Sequence, residues 1–484
     1  TRENNIWNMS TDEGIVKANG KDPRLKTSFL SEIGLTSDGR LLSDIGAELI
    51  SLNQDEDTEN ELLISDENDL YLKQFLKYQF TKPTQKSVVS DLYPILSLIY
   101  CCLEFDNELP YSFLKYLWSG SNSKEELEKN INLFKSSSRS VEDTKKFLYQ
   151  SCYDCKESDQ AKKNSEVFFR DYSLADSQEL YLLMFSILPH GKGISFLFST
   201  MEIFFHVIKY WKNQKKWDQS KKQKFLTKKL VGRGNDFSSL ISKDYNEILF
   251  GKAQLSKNSK IDKGSADFFE DTDLMRSKSE EELVLNFHIL YRYLKKLSLS
   301  EEYEDLNFRH LSLLGVFILD FEKVKLKLLF YYLFRQVKNN LLEAEVFPYD
   351  KYRVRIESKL DSLKQIHDFL DIKIPEVIKE IEIEIPEVKE MGLKNYEYEE
   401  KKKRLINLVE NIYTKEFLIE LFEKINTGTK KADGELLSAV ENVLGTKYNG
   451  KIPALFEFLL GISFYWISQK KIEITDILNT DLDE

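Results

Sequence analysis

Asp69-Leu-Tyr-Leu-Lys-Gln-Phe-Leu-Lys-Tyr-Gln-Phe80 is the stretch on which the fold turns. Leu72, Phe75, Leu76 and Gln79 fall at i, i+3, i+4 and i+7, the spacing that lines up side chains on one side of an α-helix, with Lys73 and Lys77 on the adjoining face. Further apolar helices are expected over 92–105, 109–118, 178–210 and 280–297, the last with Leu283, Phe287, Leu290, Tyr291 and Leu294 on one stripe. Composition agrees: 42% hydrophobic and 31% charged residues, with 9 Pro and 19 Gly, suit neither a disordered chain nor a β-sandwich. The expected fold class is mostly α with small β hairpins, an α+β protein, and 484 residues exceed what one core usually organises.

Working outward gives four segments. Residues 1–170 open with a helix-like stretch from Asp22. Ile33-Gly34-Leu35 and Arg40-Leu41-Leu42 then flank the turn Thr36-Ser37-Asp38-Gly39, and Ser43 starts a short helix; this order predicts a winged-helix-like subdomain. Ser123-Lys124-Glu125-Glu126 is a capping-box pattern that starts another helix. Residues 171–345 form a second subdomain, with paired short strands expected at 316–320 and 323–329. Residues 346–429 have the charged, helix-forming composition of a helical linker, and 430–484 make a fourth segment.

The net charge of −11 speaks against a surface that binds polyanions everywhere. Its distribution is uneven. Between Lys209 and Arg233 stand nine lysines and one arginine against the single acid Asp218, with Tyr210, Trp211, Trp217 and Phe225 among them. Such a block with interleaved aromatics is the footprint expected where a phosphate backbone docks; its plainer reading is a solvated helical face. Lys212, Lys215, Lys216, Lys222 and Arg233 are its candidate contacts.

Other constellations carry less. Four cysteines without a secretory segment fit a reducing cytoplasm, and Cys101-Cys102 with Cys152-x-x-Cys155 lacks zinc-site spacing and reads as core thiols. Five histidines form no His-Glu-x-x-His, and Gly191-Lys192-Gly193 and Gly232-Arg233-Gly234 are not nucleotide loops. The most apolar stretch, 194–208, is too short to span a bilayer, so no membrane partner is expected. Ile374-Pro-Glu-Val recurs as Ile385-Pro-Glu-Val with alternating Ile and Glu between. Glu387 two residues before Lys389 imitates a nuclease strand, but its charged flanks read as linker.

The run Gly450–Ile467 is different, an apolar helix with one embedded acid, Glu457, followed by what reads as a short strand near Ile472. A carboxylate there is costly unless solvent, a partner or a cation receives it. This is how a metal-dependent nuclease core commonly opens. Thr1 in place of a methionine and the end at Glu484 make both ends look cut, so the expectation is a truncated start of such a domain.

Together these residues resemble a known family. Asp22-x-Arg24, Ile33-Gly34-Leu35, Gly39-x-Leu41, Gly46-x-x-Leu49 and Leu72-Lys73-Gln74-Phe75-Leu76-Lys77-Tyr78-Gln79 resemble the recognition region of AlwI-type restriction endonucleases, which include Type IIS and nicking enzymes. Tyr303-x-Asp305-Leu306-Asn307-x-Arg309, Val316-Phe317-Ile318 and Val324-x-Leu326 are similar to a second region, and Phe456-Glu457-Phe458 resembles the entry to its cleavage domain. Tyr78 stands where the family often has tryptophan, and the block at 209–233 matches nothing in it.

The resemblance implies winged-helix-like recognition of double-stranded DNA, hydrolysis of phosphodiester bonds outside the site, and Mg²⁺. Glu457 would be the first metal-binding, catalytic acid of a PD-(D/E)XK site. Double-strand cleavage would call for a second subunit or transient dimer, and the restriction-modification system for a cognate methyltransferase. Arg24, Lys26, Lys73, Gln74, Lys77 and Arg309 join the candidate DNA contacts. Lys73, Gln74 and Lys77 could read bases or hold phosphates, or their helix could simply pack in the core. The chain as given is expected to bind DNA without cutting it. The rival class is a non-enzymatic helical scaffold or protein-interaction module.

Overall fold

The computed structural model describes residues 30–37, 41–52, 62–82, 86–152, 194–230, 267, 269–302, 304–319, 323–343, 345–358, 373–427, 434, 436, 438–440 and 452–478. Its elements are overwhelmingly helical, as expected. The chain divides into two compact units, one of 1–60, 64–326 and 334–369, the other of 61–63, 327–333 and 370–484.

In the first unit the expected small hairpin is present as an antiparallel bridge between Thr36 and Leu42, and Ser43 starts helix α1 (Asp44–Leu52) by accepting the Gly46 amide at 3.0 Å. Asp69 lies inside α2 (Asp66–Lys77). Ser65 caps it through the Asn68 amide, Asp66, Glu67 and Asp69 crowd its first turn and Lys77 its last, which suits the helix dipole. Leu72, Phe75 and Leu76 are buried as the period requires.

A two-stranded ribbon follows, β1 (Thr81–Lys82) with β2 (Ser87–Val88), then α3 (Pro94–Glu104), which begins with proline at its first turn. It is buried from Pro94 to Leu103 apart from Tyr100, and Cys101 and Cys102 are core thiols. The apolar stretch 109–118 is not one helix. Asp106 and Asn107 adopt left-handed backbone angles, and the Asn107 amide both donates to the Leu326 carbonyl and accepts from its N–H. That clamp pairs β3 (Leu109–Pro110) with a strand more than two hundred residues on, before a π-helical turn at Phe113–Trp118.

Helix α4 (Lys124–Lys135) starts at the expected capping box: Ser123 accepts the Glu126 amide, and the Glu126 carboxylate accepts the Asn122 amide. After α5 (Val141–Ser151) come α6 (Ile194–Asn213), α7 (Gln219–Lys229), the one-turn α8 (Asp273–Arg276), α9 (Glu280–Glu302) and α10 (Glu304–Ser312). The α9 stripe is buried at all five expected positions. The paired strands are β4 (Phe317–Leu319) and β5 (Lys323–Leu326), antiparallel with Ile318 opposite Lys325; β3 makes the sheet order β3-β5-β4. Glu108 receives Lys323 and Lys325 at 2.8 and 2.7 Å, and those two hydrogen bonds hold its carboxyl down at about 2. After α11 (Leu328–Gln336), α12 (Tyr349–Glu357) returns to the start of the unit. Gly34 (φ +79°) lies so close to it that a Cβ would sit 2.0 Å from the Ile356 carbonyl oxygen.

In the second unit the Ile-Pro-Glu-Val echo is two helix starts. Both α13 (Ile374–Glu384) and α14 (Pro386–Met391) take their proline into the first turn and bury their valine, Val377 and Val388. Glu387 and Lys389 are therefore helical, and no nuclease strand forms there. Helices α15 (Leu393–Asn411), α16 (Lys415–Thr427) and α17 (Ile452–Ile467) share a core of Val409, Tyr413, Leu421, Leu459 and Ile462, closed by the Trp466 indole donating to the Tyr413 carbonyl. The strand expected near Ile472 is a helix instead, α18 (Ile474–Leu478), which buries Ile474 against α17. The helix expected from 178, the Cys155 thiol and most of 357–370 lie outside the described residues.

Candidate nucleic-acid interface

The basic block folds as two helices, α6 and α7, joined by a turn in which Asp218 caps α7 through the Lys221 amide at 2.8 Å. The block's only acid is thereby committed to its own helix. The interleaved aromatics are not offered to a ligand, as the sequence footprint anticipated, but hold the helices together. Tyr210 is 0% exposed and packs edge-on against Trp217 and Phe269, Trp217 packs on Phe225 at 4.9 Å between ring centres, and the Trp211 indole donates to the Ser277 carbonyl. An aromatic's large apolar face stabilises most when buried, and here its polar tip finds a partner too.

The lysines divide accordingly. Lys222 points inward to Glu270 at 2.6 Å, and the same carboxylate accepts the Tyr210 hydroxyl at 2.8 Å; burial first and Glu270 second push that phenol's pKa upward. Lys212 pairs with Glu280 at 2.9 Å. Lys215 and Lys216, in the turn, are exposed and make no ion pair among the described residues. Also exposed are Lys221, Lys224 and Lys228, which sequence reasoning did not single out. Their signal was the i, i+3, i+7 spacing counted from Lys221, the third residue after the capping aspartate. Lys221 lies over the Trp217 ring at 5.2 Å.

The second candidate group falls elsewhere. Lys73 is exposed and pairs with Asp69 one turn back. Gln74 is 1% exposed; its amide donates to the carbonyls of Ile33 (2.9 Å) and Ile356 (2.7 Å) and accepts from Lys77 Nζ (3.1 Å). Lys77 is itself 3% exposed and reaches the Ser358 carbonyl at 3.4 Å. The core reading of this helix holds for both residues: their polar atoms satisfy backbone groups that would otherwise be buried unpaired. In this arrangement neither side chain faces solvent. Arg309 is exposed near the end of α10, beside Phe308, which packs on Tyr111. Arg24, Lys26 and Arg233 lie outside the described residues.

Glu457 is exposed on α17, so the burial cost that drew attention to it is not incurred. The described residues contain no group of three or more His, Cys, Asp or Glu side chains able to hold a metal ion. No described helix is long and apolar enough to cross a membrane.

Fold and charge define a helix-rich protein with a local cluster of lysines on one pair of helices in a chain of acidic net charge. The model of the family described as AlwI restriction endonuclease matches residues 31–484, and the chain belongs to that family. Membership implies restriction-type cleavage of DNA. No curated protein and no solved structure matches the chain.

Proposed function

We propose that the chain recognises a short double-stranded DNA sequence and takes part in Type IIS-like hydrolysis outside it, with Mg²⁺ as the metal. The observation that carries this reading is the family match over 31–484. The solvent-facing lysines of α6 and α7 support it, because a chain of net charge −11 approaches DNA productively only through a local cationic face. A non-enzymatic scaffold is the less favoured reading. The four segments 1–170, 171–345, 346–429 and 430–484, with winged-helix-like recognition in the first two and a PD-(D/E)XK nuclease domain beginning in the fourth, belong to the same proposal. So do Lys73, Gln74, Lys77, Arg309, Arg24, Lys26, Lys212, Lys215, Lys216, Lys222 and Arg233 as DNA contacts, and a cytoplasmic setting with a cognate methyltransferase. A second subunit or transient dimer would serve double-strand cleavage. The outward apolar residues Phe464 and Ile467 of α17, 54% and 75% exposed, support it.

Glu457 is the proposed catalytic and metal-binding acid; no catalytic step is built on it here, since no described neighbour completes the site. Incubation with plasmid and Mg²⁺, followed by sequencing of the ends, tests the whole reading. Discrete ends at a constant offset from one short sequence support it, and Glu457→Gln should then abolish cutting while leaving duplex binding and thermal stability in place. Cutting by Glu457→Gln at the wild-type rate would remove that residue from the chemistry. A wild-type chain that neither binds nor cuts duplex would remove the reading itself.

A further inference from the structure

We infer that the outward ridge of α7, Lys221, Lys224 and Lys228, docks on the phosphate backbone of duplex DNA without reading its sequence. The inference rests on the proposal that the chain acts on duplex DNA, and it assigns the basic block a role within that activity.

The three lysines are exposed at i, i+3 and i+7, and so form one row along the helix. Of the acids at the start of the helix, Asp218 accepts the Lys221 amide as its cap and Asp267 accepts from Gln219. Lys222, one position over, is turned inward and bound by Glu270, so the helix separates a lysine that fastens it from lysines that face solvent. Between its first and last members the ridge spans roughly 10 Å at 1.5 Å per residue, about three steps of 3.4 Å axial rise along one strand, room for each lysine to meet its own phosphate. Its chemistry is that of position rather than readout. An ammonium is a point charge without the planar fork that grips a guanine edge, and phosphate contacts fix register without carrying sequence information. Base stacking is not available either, because Tyr210, Trp217 and Phe225 pack against one another beneath the ridge.

The test is Lys221→Ala/Lys224→Ala/Lys228→Ala in the full chain. Alanine favours helix and leaves the buried Leu226 in place, and circular dichroism confirms folding. Binding to a fluorescent random-sequence duplex is measured across salt. Each phosphate contact contributes about 0.9 to the slope of log affinity against log salt, so the triple variant should lose about 2.7. Across about a fourfold rise in salt the wild type then weakens about 40-fold more than the variant. The triple Lys→Arg variant should restore the slope, and relative preference among plasmid sites should stay as in the wild type.

An alanine variant that keeps the wild-type slope overturns the inference and leaves the proposed function standing; that is also the result if the ridge instead receives an acidic face of another protein. Altered preference among plasmid sites overturns the claim that the ridge does not read sequence. If the wild type shows no duplex binding at low salt, the proposed function falls, and the inference with it.

Discussion

Replacing Gln74 by methionine keeps the length and unbranched shape of the side chain and removes its polar atoms, which separates a structural glutamine from one that reads DNA. In the fold its amide serves two carbonyls, Ile33 at 2.9 Å and Ile356 at 2.7 Å, and its oxygen takes Lys77 Nζ at 3.1 Å. The variant leaves two carbonyls and one ammonium contact without that partner in a nearly water-free place. An unpaired buried group costs about 1–3 kcal/mol and a charged one more, so the sum is roughly 3–5 kcal/mol once some relaxation is allowed. A stable domain holds only about 5–15 kcal/mol in all. Since 1 kcal/mol moves the melting temperature of a domain of about 150–250 residues by about 2–4 °C, the variant should melt on the order of 10 °C lower. Tryptophan fluorescence during heating and in urea reads this directly. Lys73→Ala, on the exposed side of the same helix, serves as control, because an i, i+4 pair such as that with Asp69 contributes about 0.5 kcal/mol or less. If Gln74→Met melts with the wild type and instead loses affinity for duplex DNA, Gln74 faces the ligand and its burial between Ile33 and Ile356 is wrong.

Two further outcomes follow from the same region. Gly34→Ala would place a methyl 2.0 Å from the Ile356 carbonyl oxygen at a φ of +79°, so the loop must move off α12; limited proteolysis should cut the 30–36 segment in the variant under conditions that spare the wild type. His310, tilted against the Phe75 ring at 5.8 Å between centres, has its pKa lowered from 6.5 to about 4, by burial first and by Arg309 second. Between those values the unfolded chain binds the proton and the folded chain does not, so stability falls as pH drops from about 6.5 towards 4. With solvent screening allowed for, the loss is roughly 1–2 kcal/mol. His310→Gln should flatten this part of the pH profile, as urea midpoints at successive pH values would register, and an unchanged profile would mean that His310 is not the titrating group.

What the sequence made legible was what short-range spacing controls. The α2 and α9 stripes, the Ser123 capping box, the β4–β5 hairpin and the Ser43 helix start all depend on residues a few positions apart, and all are present. Strand β3 was missed because two residues have no period, and what makes them a strand is the Asn107 clamp on Leu326. The helix at 474–478 was read as a strand because Ile472-Glu473-Ile474 alternates. Alternation over three residues is equally consistent with one helical turn that buries Ile474 alone.

The candidate site was less legible, for a related reason. Which lysine of a basic block turns inward is decided by an acid tens of residues away: Glu270 claims Lys222, whereas Lys212 pairs with Glu280 and still stands exposed. The residues that carried the family resemblance, Gly34, Gly46 and the Leu72–Gln79 run, converge on one buried node. There a Cβ at Gly34 or Gly46 would collide with backbone, and Gln74 and Lys77 bond backbone carbonyls. Residues that satisfy buried backbone tolerate few replacements whatever DNA sequence is bound, so they mark the family while saying little about its ligand. The ridge of α7 is the reverse case. A phosphate contact asks only for positive charge within reach, so the role proposed for its lysines would survive a shift by a turn. The Gln74→Met and α7 variants should therefore separate a structural role from the proposed DNA contact, the first losing stability and the second losing salt-dependent affinity.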